Sequence, residues 1–206
     1  IIGGGVIANK KIRAAMHEGV FNLAGEVEAD ETFIGAKARN MHKHKWRQFK
    51  NTNRAHMVAV SGLLERTSGE KASRVKVKAI PNTKRATVQA IVRENVKPGS
   101  EVYTDALLSY VGLEDSYVHG IVDHAVSYAE GKVHTNGLEN FWSLLKRGIK
   151  GTYVCPAPFH LFRYLDEQAT RSNERKDTGR FVSTLQRAPG RRLTFDKLTA
   201  KKPEQS

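Results

Sequence analysis

The sequence predicts an α/β fold, a mixed β-sheet flanked by helices, and three observations predict it. Short stretches with apolar residues at every second position alternate with longer stretches of helical spacing. Turn-forming Gly, Pro, Asn and Ser separate the two kinds of stretch. An apolar content of 39% over 206 residues is enough for one real core.

The elements follow in order. Residues 9–24 open with a basic, helix-favouring segment that Gly19 and Asn22 interrupt. Residues 25–35 (GEVEADETFIG) set Val27, Ala29 and Phe33 against charged neighbours, which predicts a first strand carrying Asp30. Residues 37–54 hold Lys37, Arg39, Lys43, Lys45, Arg47, Lys50 and Arg54, with no acid before Glu65, and predict a mobile basic loop. Residues 55–66 and 74–80 read as two further strands joined by a turn at Thr67, Ser68 and Gly69, an antiparallel hairpin. Residues 82–95 predict a helix with Asn82 or Thr83 as N-cap, ended by Lys97, Pro98 and Gly99. A short strand over 101–106 carries Asp105, and a helical piece from Leu107 to Val111 follows it. Residues 117–128 predict an extended segment. Residues 134–149 form the clearest helix, with Leu138, Trp142, Leu145 and Ile149 on one apolar stripe. Residues 158–173 predict a last helix with Leu161, Phe162, Tyr164 and Leu165 in the core, and beyond Lys176 the chain reads as a loosely ordered basic tail. This order of strands and helices is the ribonuclease H-like arrangement.

Charge narrows the function. Lys and Arg number 34 against 21 Asp and Glu, a net charge of +13, which is the footprint of a protein that meets a polyanion. The one cysteine, Cys155, excludes an intramolecular disulfide and a cysteine-rich zinc site. No apolar run approaches the roughly 18 residues of a membrane span, and residues 1–11 lack the regions of a signal peptide. These features predict a soluble, cytoplasmic protein associated with the nucleoid, with no membrane partner.

The chemistry rests on Asp30, Asp105 and Glu139. On the helix over 134–149 Glu139, Ser143 and Lys146 share a face distinct from the apolar stripe. Carboxylates from three separated elements suit two divalent ions, because hard Mg²⁺ takes oxygen ligands and keeps waters and phosphate oxygens. Two such ions support in-line phosphodiester transfer. Each residue also has a plainer reading. Asp30 and its neighbour Glu31 read as solvent-facing charges, and a strand directs only one of them to a given side. Asp105 reads as a cap for the helical turn after it, Glu139 as a capping-box partner of Asn136, and Lys146 as a solvated face residue.

Four segments carry more than these positions do singly: VEADETFIGAK (27–37), VYTDAL (102–107), VHTNGLENFWSLLKRGIKGTY (133–153) and HLFRYLDE (160–167). Together they resemble the catalytic domain of bacterial insertion-sequence transposases of the DDE type, the ISXO-like group, from about residue 25 to 176. The resemblance implies that Asp30, Asp105 and Glu139 are metal ligands and that Lys146, seven residues after Glu139, completes the signature. It implies hydrolysis at a transposon end, then attack of the freed 3′-hydroxyl on target DNA, with Mg²⁺ as cofactor and Mn²⁺ as substitute. The partners it implies are transposon-end and target DNA, bound by a homo-oligomer. Lys146, a point charge, fits phosphate positioning better than base reading. His134 and Asn136, at a helix N-terminus, are candidate DNA contacts. So are Lys43, Lys45 and Arg47 in the basic loop and Arg163 on the last helix. Residues 1–24 are expected to be the remnant of an upstream DNA-binding region or linker, 25–176 the catalytic domain and 177–206 a basic tail. The family's upstream zinc-ribbon and helix-turn-helix region has only KKIRAAMHEG (10–19) as a counterpart, which leaves a truncated copy as an expectation. A ribonuclease H-like nuclease and a non-catalytic DNA-binding remnant are the alternatives.

Overall fold

The computed structural model describes residues 21–35, 57–67, 69, 72–105, 108–122, 134–151, 160–179 and 182. The basic loop over 37–54, most of the segments over 9–24 and 123–128, and nearly all of the expected tail lie outside the described residues.

Alternation of apolar and polar residues produces the strands, and turn residues end them. The strands are β1 (Glu26–Ile34), β2 (Val58–Glu65), β3 (Arg74–Ile80), β4 (Glu101–Asp105) and β5 (Val118–Val122), and the helices are α1 (Arg85–Asn95), α2 (Asn136–Gly151) and α3 (Leu161–Asn173). A 3₁₀ turn, Leu108–Tyr110, follows β4. The five strands form one mixed sheet in the order β3-β2-β1-β4-β5. β1, β2 and β3 run antiparallel to one another in sequence, as the expected hairpin requires, while β1, β4 and β5 are parallel. Sheet and helices make the α/β fold class expected from the sequence, compatible with the ribonuclease H-like arrangement.

Because strand side chains alternate between faces, β1 feeds two cores. Val27 and Ala29 join Leu63, Val88, Ile91, Val92 and Val102 on the α1 face. Ile34 joins Val60, Leu64, Val75 and the stripe Leu138, Trp142, Leu145 and Ile149 on the α2 and α3 face. Leu23, fully buried, is bridged to Val96 just past the end of α1, so the core starts ahead of β1.

Three local details differ from expectation. The residue before α1 is Lys84, without a side-chain cap. Asn82 acts two residues earlier, its Oδ1 accepting from the Lys84 N–H at 3.0 Å and the Thr87 hydroxyl at 2.9 Å, as Asn does in turns. On α3, Leu161, Leu165 and Ala169 take the core-facing row at helical spacing. Phe162 falls off that row and is 45% exposed, whereas Arg163 is buried.

Candidate active site

Asp30 and Asp105 are brought together by strand register. β1 and β4 are parallel, with Ala29 opposite Thr104, so the next residues, Asp30 and Asp105, stand side by side at the carboxyl end of β4, midway along the longer β1. Both point to the face that α2 covers, the face of Glu28, Thr32 and Ile34. Open α/β sheets bind ligands outside the carboxyl ends of their strands, so the position itself is suited to a site.

α2 brings the third carboxylate. Its apolar stripe is buried against the sheet, with Leu138, Trp142, Leu145 and Ile149 all within the core. Glu139, one residue along from Leu138, is exposed, and Lys146 two turns later is half-buried. Glu139 sits on the fourth helical residue, its amide bonded to the Thr135 carbonyl at 3.0 Å. Thr135, not Asn136, precedes the helix, and its hydroxyl lies 3.5 Å from the Glu139 carboxylate, at the edge of hydrogen-bonding distance.

The electrostatics of Asp30 record this convergence. Burial, the largest cause, pushes its carboxyl above the ordinary aspartate range, and the neighbouring Asp105 and Glu139 push in the same direction. Two hydrogen bonds oppose them. The Trp142 indole N–H donates to Oδ2 at 2.9 Å, and the Glu31 amide donates to Oδ1 at 2.7 Å. Each Asp30 oxygen therefore accepts one of these bonds and keeps further lone-pair capacity.

Glu31 turns the other way. Its Oε1 accepts a hydrogen bond from the Tyr110 hydroxyl on the opposite face of the sheet. Burial raises its pKa to about 7, with Asp30 and Asp105 adding to the rise and the Tyr110 bond working against it.

The donor set is all oxygen, like-charged and partly desolvated, which fits a hard divalent cation. Among the described residues no three His, Cys, Asp or Glu side chains are already drawn into a closed coordination cluster.

The stretch that carries all of these residues is matched by a known family. The description of an ISXO2-like transposase domain matches residues 22–173. The chain belongs to the ISXO2-like transposase family. An uncharacterized transposase-like protein of Haemophilus influenzae (strain ATCC 51907 / DSM 11121 / KW20 / Rd) is 39% identical over 95 residues, 46% of this chain and 76% of that protein. Among the described residues no helix is long and apolar enough to cross a membrane.

In this transposase-family chain the N-terminus of α2 already holds an anion of its own. Glu28, 1% exposed on β1, accepts the Leu138 N–H at 2.8 Å through Oε2 and the Arg66 Nε–H at 2.8 Å through Oε1. Arg66 also reaches Glu26 at 3.1 Å, stacks 4.4 Å from the Tyr103 ring centre and donates to the His134 carbonyl. The His134 ring lies 3.0 Å from Arg66 and 3.6 Å from Glu28. Of the two expected DNA contacts at this end, His134 is thus enclosed in a charged network, while Asn136 is exposed. Arg163, expected as a DNA contact, is buried on α3, with its guanidinium over the Phe162 ring. Lys43, Lys45 and Arg47 lie outside the described residues.

Sequence reasoning missed Glu28, Arg66, Gly62 and Gly137, and took Trp142 as apolar only. One signal existed in the sequence. Gly62 lies inside a strand, where glycine marks close approach of another group. A Cβ there would stand 2.5 Å from Trp142 Cζ2, and one at Gly137 would stand 2.8 Å from Glu28 Oε2. No local signal marked Glu28, since a Glu beside Val27 and Ala29 reads as a solvent-facing charge.

Proposed function

We propose that this chain is the catalytic core of a transposase that cleaves DNA strands at transposon ends and joins them to target DNA. Asp30, Asp105 and Glu139 are the metal ligands in this reading, and Lys146 contacts a phosphate. The observation that carries it is the placement of Asp30 beside Asp105 on one sheet face, one residue past the Ala29–Thr104 pair, with Glu139 near enough to disturb the ionisation of Asp30. Mutual repulsion of desolvated carboxylates is a cost that a bound cation would offset. Mg²⁺, with Mn²⁺ as substitute, would supply Lewis-acid stabilisation of the phosphoryl oxygens and activation of the attacking hydroxyl.

The chain's own residues do the rest. Asp30 is oriented from both sides by its two hydrogen bonds. Asp105 stands beside it on rigid strand, and Glu139 is carried by a helix whose apolar stripe is locked in the core. Lys146 lies two turns along the same helix, a spacing of about 10 Å at 1.5 Å per residue, where a phosphate adjoining the scissile one would sit. Residues 25–176 form the catalytic domain in this reading, with 1–24 and 177–206 as flanking segments. DNA is the partner, and two ends handled together require a homo-oligomer on the DNA.

A strand-transfer assay with Mg²⁺ or Mn²⁺, on DNA carrying candidate terminal repeats, tests this. Joined products are expected, and they should vanish in Asp105→Asn and Glu139→Gln. Because Glu139 is exposed, its substitution should change stability by no more than about 0.5 kcal/mol, so lost joining would not reflect unfolding. Cleavage without joining would favour a nuclease, and metal-independent DNA binding alone would sink the enzymatic reading.

A further inference from the structure

We propose that Trp142, seated in the notch left by Gly62, is a positioning residue that orients the Asp30 carboxylate for cation binding. The inference rests on the proposed function and adds to it a residue outside the acidic set. An indole N–H donates and cannot accept, so its single hydrogen bond at 2.9 Å fixes Oδ2 in one direction. The Glu31 amide fixes Oδ1 at 2.7 Å. The carboxylate plane is therefore held by two donors on rigid elements, one on α2 and one on β1.

The indole cannot easily move. It is 4% exposed and meets Phe141 edge-on at 5.4 Å between ring centres. Its six-membered ring lies over Gly62, which faces Asp30 across the β1–β2 ladder. Any side chain at position 62 would occupy the ring's place, since its Cβ would stand only 2.5 Å from Cζ2 and 2.7 Å from Cη2. Strand register thus sets Gly62 opposite Asp30, and the room above Gly62 lets a helix residue reach the aspartate. Trp142 also lies three residues after Glu139, close to one turn. The same hydrogen bond thereby ties the helix bearing one ligand to the strand bearing another. Partners of metal ligands that orient them in this way commonly alter metal affinity about 10–100-fold when removed.

The test measures Mn²⁺ binding by electron paramagnetic resonance on the full chain, without DNA turnover. Four proteins are compared: the unaltered chain, Asp105→Asn, Trp142→Phe, and a chain in which Trp142 is replaced by its benzothienyl isostere, with sulfur in place of the indole N–H. The isostere preserves ring size, so it answers for packing if Trp142→Phe does not fold. Asp105→Asn should lose the site, and the isostere should weaken Mn²⁺ about 10-fold or more while melting near the unaltered protein. In strand transfer it should raise the Mn²⁺ concentration for half-maximal rate and leave the rate at saturating Mn²⁺ largely intact. An isostere that binds Mn²⁺ as the unaltered chain does, while Asp105→Asn does not, overturns the role of Trp142 and leaves the metal site standing. Binding that Asp105→Asn fails to change overturns both.

Discussion

Asp30 and Glu31 are adjacent in sequence and inhabit opposite sides of a sheet. Asp30 faces other carboxylates and Trp142; Glu31 faces Tyr110. Glu31 has a measurable consequence for stability. Its folded pKa of about 7 lies above its ordinary value of 4.5, so between those values the folded state binds more protons than the unfolded state. Its contribution to stability is full below about pH 4.5, declines as pH rises and is gone above about pH 7. The raised Asp30 carboxyl works in the same direction. Urea midpoints in metal-free buffer at pH 5 and pH 7.5 should therefore show lower stability at the higher pH, and Glu31→Gln should lessen that decline. An unchanged decline in Glu31→Gln would mean that Glu31 titrates normally.

The element that matters most is α2, because it holds the core with one stripe and presents Glu139 and Lys146 on another. Its start is clamped. Helix N-termini leave amide donors without intrahelical partners, and here Glu28 supplies the acceptor from a different strand. Gly137 permits that approach, since a methyl there would meet both Glu28 oxygens. Glu28→Ala removes the acceptor of Leu138 and the buried partner of Arg66 in one step. Breaking one side of a buried ion pair typically costs about 3–5 kcal/mol, far beyond the effect of a surface charge. Chemical denaturation of Glu28→Ala should show a loss of that size, and a change below about 0.5 kcal/mol would mean that the clamp does not hold α2.

Across the described residues, the sheet separates two cores, and its acidic site lies on the α2 face, where β4 ends beside the middle of β1. The edge strand β3 is blunted by Asn173, whose side chain accepts the Val75 N–H at 2.7 Å and donates to the Val75 carbonyl at 2.9 Å. The chain as a whole carries a net charge of +13. Such an excess attracts DNA through counterion release, so affinity for duplex should fall linearly in log–log form as salt rises. With about six phosphate contacts, affinity should drop roughly 10³-fold between 50 and 200 mM salt. Titration of a labelled duplex checks this, and a flat response would mean that the basic excess is not used for DNA.

How much of this was legible in the chain follows from which forces are local. The period of apolar residues marked β1 to β4 and the three helices, because burying one face requires that period in any context. The motif blocks 27–37, 102–107 and 133–153 pointed to the family, and the Glu139 to Lys146 spacing placed both on one helical face. Register, however, depends on partners distant in sequence. Only the parallel pairing of β1 with β4 puts Asp30 beside Asp105 and turns Glu31 away. Only the packing of α2 on β1 and β2 makes Glu28 a buried anchor, Gly62 a seat for an indole and Trp142 a donor to Asp30. Local pattern determined which elements exist and which residues carry charge. Long-range packing decided which of those charges meet, since direction and burial belong to surfaces that form only when the elements come together.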